Sequence, residues 1–313
     1  MPPLIPQEIY LIERYSSPEY FVQMRDAWDA MVNYVEDCLD RFMYKLPPAY
    51  RNRPLPEQPD IVWGQRVLPN FLNTQQGLWN AYIKLTHGDY EMLNAAHRVS
   101  NDVRGQREFS YTWLDEVEEG GGERYWKLLL AAGDYAGNII PTAGGSWPKT
   151  ILTSNFSSER GELDPPTAWP LYRINPSVQV KTGDVASQSG VYLPEIEDAC
   201  ANFLIGGQTV TRARVGYGPE TLQYISKQPT LWTLIERVPG ETVPLAEGLG
   251  KIASTPLHVV AGKSCPRAGW WLTPAKAHSR RHFKQGDVFP VIEDSAYGDT
   301  YWQWSPDQSS PSL

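Results

Sequence analysis

Two stretches of the chain, residues 183–194 and 262–274, share one layout. Each has two glycines seven positions apart, an aromatic residue close behind the second glycine, and then a proline. Glycine allows a tight turn or a positive φ, and proline is confined to the ends and edges of strands. The layout therefore predicts one turn-and-strand unit used twice, a duplicated Gly-x6-Gly-aromatic-Pro strand motif.

The duplication also predicts which residues are equivalent. Gly190 should match Gly269, and Tyr192 should match Trp271, inside a single β-rich domain. The alternative is a chance likeness between two strands that glycine and proline happen to bound. In a true repeat the two stretches should superpose as equivalent turn-plus-strand units, whereas backbones that differ in secondary structure would indicate coincidence.

The first half of the chain has helical spacing instead. Apolar residues recur every three or four positions, which places them on one helical face: Phe21, Met24, Trp28, Met31, Val35, Leu39 and Phe42. A capping box of Ser16 and Glu19 would begin this helix, and Pro47 with Pro48 would end it. We therefore expect one long helix that reaches about Leu46.

Three further helices are expected before the chain changes character. One starts near Pro69 and ends at Gly88, and the next is capped by Asp89. The triple glycine at 120–122 reads as a flexible break, and a fourth helix follows it over roughly residues 123–136. The first half is thus predicted to be helical.

A boundary is expected where Gly, Pro, Ser and Thr replace the periodic pattern, over about residues 137–170. Beyond it, short apolar runs bounded by Pro and Gly predict strands. The fold class is therefore α+β, with a helical N-terminal half and a β-rich C-terminal half. The predicted domains are residues 1–150 and 165–313.

The net charge of −8 bears on the kind of partner. The helical half holds most of it, with 20 acidic and 14 basic residues through Ser158. Such a chain is not expected to bind nucleic acid, because that affinity comes mainly from neutralising phosphates. It favours a basic protein partner, through electrostatic steering and discrimination.

The expected compartment is the cytoplasm. No segment approaches the roughly 20 apolar residues that span a bilayer, so no membrane association is expected. The first residues lack the positive and apolar regions of a signal peptide. Three widely separated cysteines, Cys38, Cys200 and Cys265, do not suggest a disulfide framework.

No catalytic or metal-binding constellation is complete. Cys265, His278 and His282 have the spacing of half a zinc finger, but the other cysteine is missing. Residues 144–150 end like a phosphate-binding loop, yet Pro148 stands where the glycine before the lysine should be. We therefore predict neither an enzyme nor a metal or other cofactor.

Two acidic sets are candidate binding surfaces. The first decorates the long helix: Asp26, Asp29, Glu36, Asp37 and Asp40. The second precedes the triple glycine: Asp115, Glu116, Glu118 and Glu119. Either set could simply be a solvated face. The second is the preferred site, because its charges are concentrated beside a flexible break while the first set is spread around a helix.

The C-terminal half resembles a family of bacterial proteins. The resemblance rests on Gly269-Trp270-Trp271-Leu272-Thr273-Pro274 and on residues 189–194, 231–238, 265–275, 279–290, 297–298 and 302–304. These segments resemble the immunity proteins of polymorphic-toxin and type VI secretion systems, in particular immunity-protein families 71 and 72. The likeness covers about residues 178–306 and involves no catalytic residue.

The resemblance implies a non-enzymatic role. A protein of this kind binds a cognate effector toxin that acts in the cytoplasm, for example a nuclease, and blocks its active site or its access to substrate. The basic substrate cleft of a nuclease would suit an acidic inhibitor. Two alternatives stay open: an enzyme whose active site forms between domains, and a Trp-rich module that binds carbohydrate or peptide. The sequence does not indicate the oligomeric state.

Overall fold

The computed structural model describes residues 4–46, 48–149, 151–154, 166–218, 224–243, 258–266, 268–273, 275–276, 279–292 and 300–305. The helices are α1 (Pro6–Tyr15), α2 (Pro18–Tyr44), α3 (Pro59–Val62), α4 (Leu68–Thr86), α5 (Ala96–Gly105), α6 (Leu114–Val117), α7 (Gly121–Ala143) and α8 (Ile151–Ser154). The strands are β1 (Trp169–Lys181), β2 (Gly190–Pro194), β3 (Asn202–Leu204), β4 (Ala213–Val215), β5 (Ser226–Gln228), β6 (Leu231–Val243), β7 (His258–Val260), β8 (Gly269–Leu272), β9 (Arg281–Phe283) and β10 (Tyr301–Trp304). The predicted α+β class is confirmed.

The longest helix, α2, packs against α4 and α7. Its predicted apolar face is buried along its whole length, from Phe21 to Phe42. The cap lies one residue later than expected, since the Ser17 side chain accepts from the backbone N–H of Tyr20 at 3.1 Å. The predicted box of Ser16 and Glu19 is wrong, because Ser16 ends α1 and its hydroxyl donates to a carbonyl of that helix.

Helix α4 starts and ends close to the predicted positions. It follows a π-helical turn, Trp63–Val67, and has Pro69 in its first turn. Behind it, Gly88 has a φ of +87°, a left-handed conformation that glycine adopts without steric cost. Asp89 then caps a 3₁₀ turn, Tyr90–Ala95, that leads into α5. Helix α4 is held to α2 through their buried faces.

The triple glycine is the start of α7, so the predicted flexible break is wrong. Gly120 has a φ of +72°, and Gly121 is the first residue of the helix. A Cβ on Gly121 would collide with the carbonyl oxygen of Leu114, so only glycine allows α6 and α7 to approach this closely. The helix continues through Gly137 to Ala143, which also shortens the predicted boundary region.

The described residues divide into two compact units, Met1–Leu245 and Ala246–Leu313. In the first unit, the helices and the sheet β1-β6-β2-β3 contribute to one hydrophobic core. The segment between the predicted domains, 1–150 and 165–313, lies mostly outside the described residues. The helices before this segment and the strands β1, β2, β3 and β6 after it contribute to the same hydrophobic core.

Two polar contacts, the first partly buried and the second buried, join the helical part of the chain to that first sheet. The hydroxyl of Tyr172 in β1 donates to the carboxylate of Glu13 in α1 at 2.7 Å. Behind α7, the backbone N–H of Trp147 donates to the side-chain oxygen of Asn202 in β3 at 2.7 Å. These contacts satisfy polar groups that burial would otherwise leave at a cost of about 1–3 kcal/mol each.

The two units contain equivalent four-stranded antiparallel sheets. The strand order is β1-β6-β2-β3 in the first and β7-β10-β8-β9 in the second. Their registers agree, and the equivalent pairs are Gly190–Leu204 with Gly269–Phe283, and Tyr192–Leu234 with Trp271–Trp304. The predicted duplication is therefore confirmed.

The glycine turns ahead of β2 and β8 match as well. Gly183 and Gly262 have φ values of +96° and +84°. Their N–H groups donate to the carbonyls of Val210 and Phe289 at 2.9 and 2.7 Å, which closes the same connection in each copy. One expectation is corrected, because the copies belong to different units and not to a single β domain.

The cores of the two copies differ in side-chain size. The buried cluster of the second unit is Cys265, Trp271, Phe283, Phe289 and Trp302. The matching positions of the first unit are Ala186, Tyr192, Leu204, Val210 and Trp232. The first sheet also packs its other face into the helical core, through residues such as Val191 and Phe203. Among the described residues of the second unit this small cluster is the core, and its larger aromatic rings bury more apolar surface than the matching residues of the first copy.

Candidate protein-binding surface

The second acidic set lies on and just after α6: Asp115, Glu116, Glu118 and Glu119. Glu116 forms a bidentate ion pair with Arg53, with both N–O distances 2.9 Å. The carboxylate of Asp115 accepts from the backbone N–H of Gly122 at 3.0 Å. This carboxylate therefore caps the first turn of α7, where a negative charge is stabilised by the helix dipole.

Glu118 is the most heavily bonded member of the second set. It accepts hydrogen bonds from Arg41 at 2.8 Å, from Arg124 at 3.1 Å and from the Tyr34 hydroxyl at 3.1 Å. The hydrogen bond from Arg41 is the main cause that lowers the pKa of the Glu118 carboxyl. Glu119 is exposed, and among the described residues no group bonds to it.

The reason for preferring the second set no longer applies. Its carboxylates are largely matched by the protein's own arginines, and the glycines beside it form the ordered start of α7. A partner that used Glu116 or Glu118 would first have to displace the arginines that now pair with them. The first acidic set is therefore the better candidate for a binding surface.

The first set forms a stripe along α2 and is not spread around it, as the sequence analysis supposed. With 3.6 residues per turn, its five members fall within an arc of about 100° and along about 20 Å of the helix axis. We call this set the acidic stripe: Asp26, Asp29, Glu36, Asp37 and Asp40. The apolar face of α2 is buried, which leaves the stripe on the outer side of the helix.

The stripe is only partly compensated by cations. Arg25 contacts Asp26 at 2.6 Å, and Arg41 contacts Asp37 at 3.1 Å while also serving Glu118. Asp29 accepts a hydrogen bond from Trp79 and has no ion pair among the described residues. The other two members, Glu36 and Asp40, have neither an ion pair nor a hydrogen bond there. The stripe thus retains a negative charge that a partner can meet.

Asp29 joins the stripe to a surface that the sequence analysis missed. Its carboxylate accepts a hydrogen bond of 3.0 Å from the indole N–H of Trp79 in α4. The guanidinium of Arg25 lies 3.8 Å from the centre of the Trp79 ring. One sequence feature pointed to this surface: the run from Val67 to Ile83 contains no charged residue. In the structure about half of the helix that it forms is exposed.

The thiols and imidazoles do not form a catalytic arrangement in the described part of the chain. Cys38, Cys200 and Cys265 are all buried, and burial raises the pKa of the Cys200 thiol well above its ordinary value. His282 packs edge-on against Trp270, and His278 lies outside the described residues. Across the described ranges, no three His, Cys, Asp or Glu side chains converge as metal ligands would.

No described helix has both the length and the apolar character that crossing a membrane requires. Comparison of the chain with protein-family models, curated proteins and solved structures finds no match. The resemblance to immunity proteins therefore stays a prediction that rests on the residues themselves.

Proposed function

We propose that the chain is a non-enzymatic immunity protein of the cytoplasm, which binds one cognate effector toxin. It would block the active site of the toxin or the access of its substrate. The resemblance of residues 178–306 to immunity proteins supports this proposal. The structural observation that carries it is the acidic stripe on α2.

The stripe suits a partner with a basic cleft. A toxin that cleaves nucleic acid must neutralise phosphates with lysine and arginine, and those groups line its substrate cleft. A row of carboxylates about 20 Å long offers the same cations a competing set of negative groups. Complementary charge mainly raises the association rate and excludes wrong partners.

Glu36 and Asp40 are the members best suited to direct contact. Neither is engaged by a described residue, so a partner would not have to break an internal ion pair to reach them. An arginine or lysine of the toxin would gain a charge-assisted hydrogen bond there. Asp37 is less available, because it is already paired with Arg41 at 3.1 Å.

The proposal is tested with the protein encoded by the gene directly upstream, if it carries a toxin domain. Cells that express this domain should survive when the present chain is co-expressed, and the two purified proteins should form a complex by calorimetry. A dissociation constant of about 1 μM or tighter is expected for a specific interaction. Survival without a complex, or a complex without protection, would contradict the proposed function.

A further inference from the structure

Helix α4 carries an exposed stripe with no charge. The range from Val67 to Ile83 contains no Asp, Glu, Lys, Arg or His, although much of the helix surface is open to solvent. Leu72, Trp79 and Ile83 are 37%, 41% and 54% exposed, and they lie within an arc of about 60° together with Gln76. Charged residues are depleted, and tryptophan is enriched, at the centres of protein interfaces.

Trp79 is fixed in place before any partner arrives. Its N–H donates to Asp29 at 3.0 Å, and the guanidinium of Arg25 stacks 3.8 Å from its ring centre. Arg25 is itself buried and paired with Asp26 at 2.6 Å. A large ring that is already ordered loses little entropy on binding, which favours it as an anchor.

We propose that Trp79, Leu72 and Ile83 form the apolar anchor of the toxin interface, with the acidic stripe of α2 at its border. The partner would then present an apolar socket flanked by lysine or arginine. This inference rests on the proposed function, because it concerns the same toxin.

The charge pattern argues for this partner over a second copy of the chain. Asp29 touches Trp79, so the anchor and the acidic stripe are continuous. Two copies that joined through this face would bring their acidic stripes towards each other, and like charges oppose such an association. A basic partner would instead be attracted to the acidic stripe.

Binding of the upstream-encoded toxin domain to Trp79→Ala, Leu72→Ala and Leu130→Ala tests the inference. Leu130 in α7 is the matched control for Leu72, because it is 40% exposed and lies on another helix. We expect the dissociation constant to rise about 30-fold for Trp79→Ala and about fivefold for Leu72→Ala. The control should stay within about twofold of the wild type.

Trp79→Phe guards against a trivial loss of structure. It keeps an aromatic ring but cannot donate to Asp29, and we expect affinity between that of the wild type and that of Trp79→Ala.

If wild type binds and Trp79→Ala, still helical by circular dichroism, binds equally well, the anchor is refuted and the immunity function stands. If wild type does not bind, both proposals fall. Self-association of the wild type that Trp79→Ala abolishes would make a second copy the occupant and overturn the inference.

Discussion

The guanidinium of Arg41 in α2 forms ion pairs with both predicted acidic sets, at 2.8 Å to the carboxylate of Glu118 and at 3.1 Å to that of Asp37. One guanidinium therefore links the acidic stripe to the turn that leads into α7. Reversing the charge of Glu118 would disturb both surfaces at once. Tests of binding are cleaner at Glu36, Asp40 and Glu119, which have no bonded partner among the described residues.

Replacing Glu118 by glutamine should lower the free energy of unfolding at pH 7 by about 1 kcal/mol. The substitution weakens the hydrogen bonds from Arg41, Arg124 and Tyr34. Glu119→Gln is the neighbouring control and should stay within about 0.5 kcal/mol of the wild type. Urea denaturation of the three proteins measures the difference, and equal losses in both variants would contradict the role of Glu118.

The ion pair of Glu118 with Arg41 also predicts how the stability of the protein depends on pH. The pKa of Glu118 is lowered in the folded protein from an ordinary value of 4.5, so the unfolded chain takes up the proton first as the pH falls. The contribution of Glu118 is complete above pH 4.5 and is lost as the pH falls through the folded pKa. The stability gap between wild type and Glu118→Gln should therefore shrink below pH 4.5, and a gap that widens there would show the opposite linkage.

Two glycines of α7 should respond oppositely to alanine. Gly121→Ala places a Cβ against the backbone of Leu114 and should destabilise the protein by about 1–3 kcal/mol. Gly137→Ala meets nothing within 4 Å and should stabilise it by about 0.5–1 kcal/mol, because alanine favours the helix. Thermal unfolding of both variants is the measurement. A harmless Gly121→Ala would mean that α6 and α7 are not packed this closely.

Local patterns in the sequence predicted much of this fold. The three-and-four spacing from Phe21 to Phe42 predicts a helical face because it depends only on residues that are close in sequence. The two glycine stretches predicted the repeat because each turn-and-strand unit is likewise determined by its own residues. The triple glycine was predicted wrongly as a break. Glycine is needed at position 121 because the backbone of Leu114, in another helix, leaves no room for a Cβ. Local spacing gives no information about such a contact.

The candidate surface was predicted only in part. The acidic residues of α2 were visible, and their helical positions place them on one stripe. The pairs Arg25–Asp26 and Arg41–Asp37 are local contacts within α2, and the second has the i,i+4 spacing of a helical ion pair. The matching of Glu116 by Arg53 and of Glu118 by Arg41 depends on tertiary packing that spacing does not reveal. Trp79 was missed because the uncharged run from Val67 to Ile83 fits a buried helix as well as an exposed one, and only the fold shows which side chains reach solvent.

The second unit should unfold locally when its core is opened. Trp302 is 1% exposed and packs with Phe283 and Phe289, so Trp302→Ala should cost the unit about 3–5 kcal/mol. Amide hydrogen exchange should then rise in β7–β10 while α2 and α7 keep their protection. Trp232→Ala, at the equivalent position of the first copy, should raise exchange in β1, β2 and β6 instead. The same exchange pattern in both variants would contradict two separate cores.

One kinetic experiment tests directly whether the acidic stripe is the surface that binds the toxin. The association rate with the upstream-encoded toxin domain is measured at low and high salt for wild type, for the double variant Glu36→Lys/Asp40→Lys, and for Glu119→Lys as the exposed control. We predict that the double variant associates about tenfold more slowly at low salt, that Glu119→Lys stays within about twofold, and that high salt removes most of the difference. Equal rates for wild type and the double variant at both salt concentrations would contradict the stripe as the binding surface.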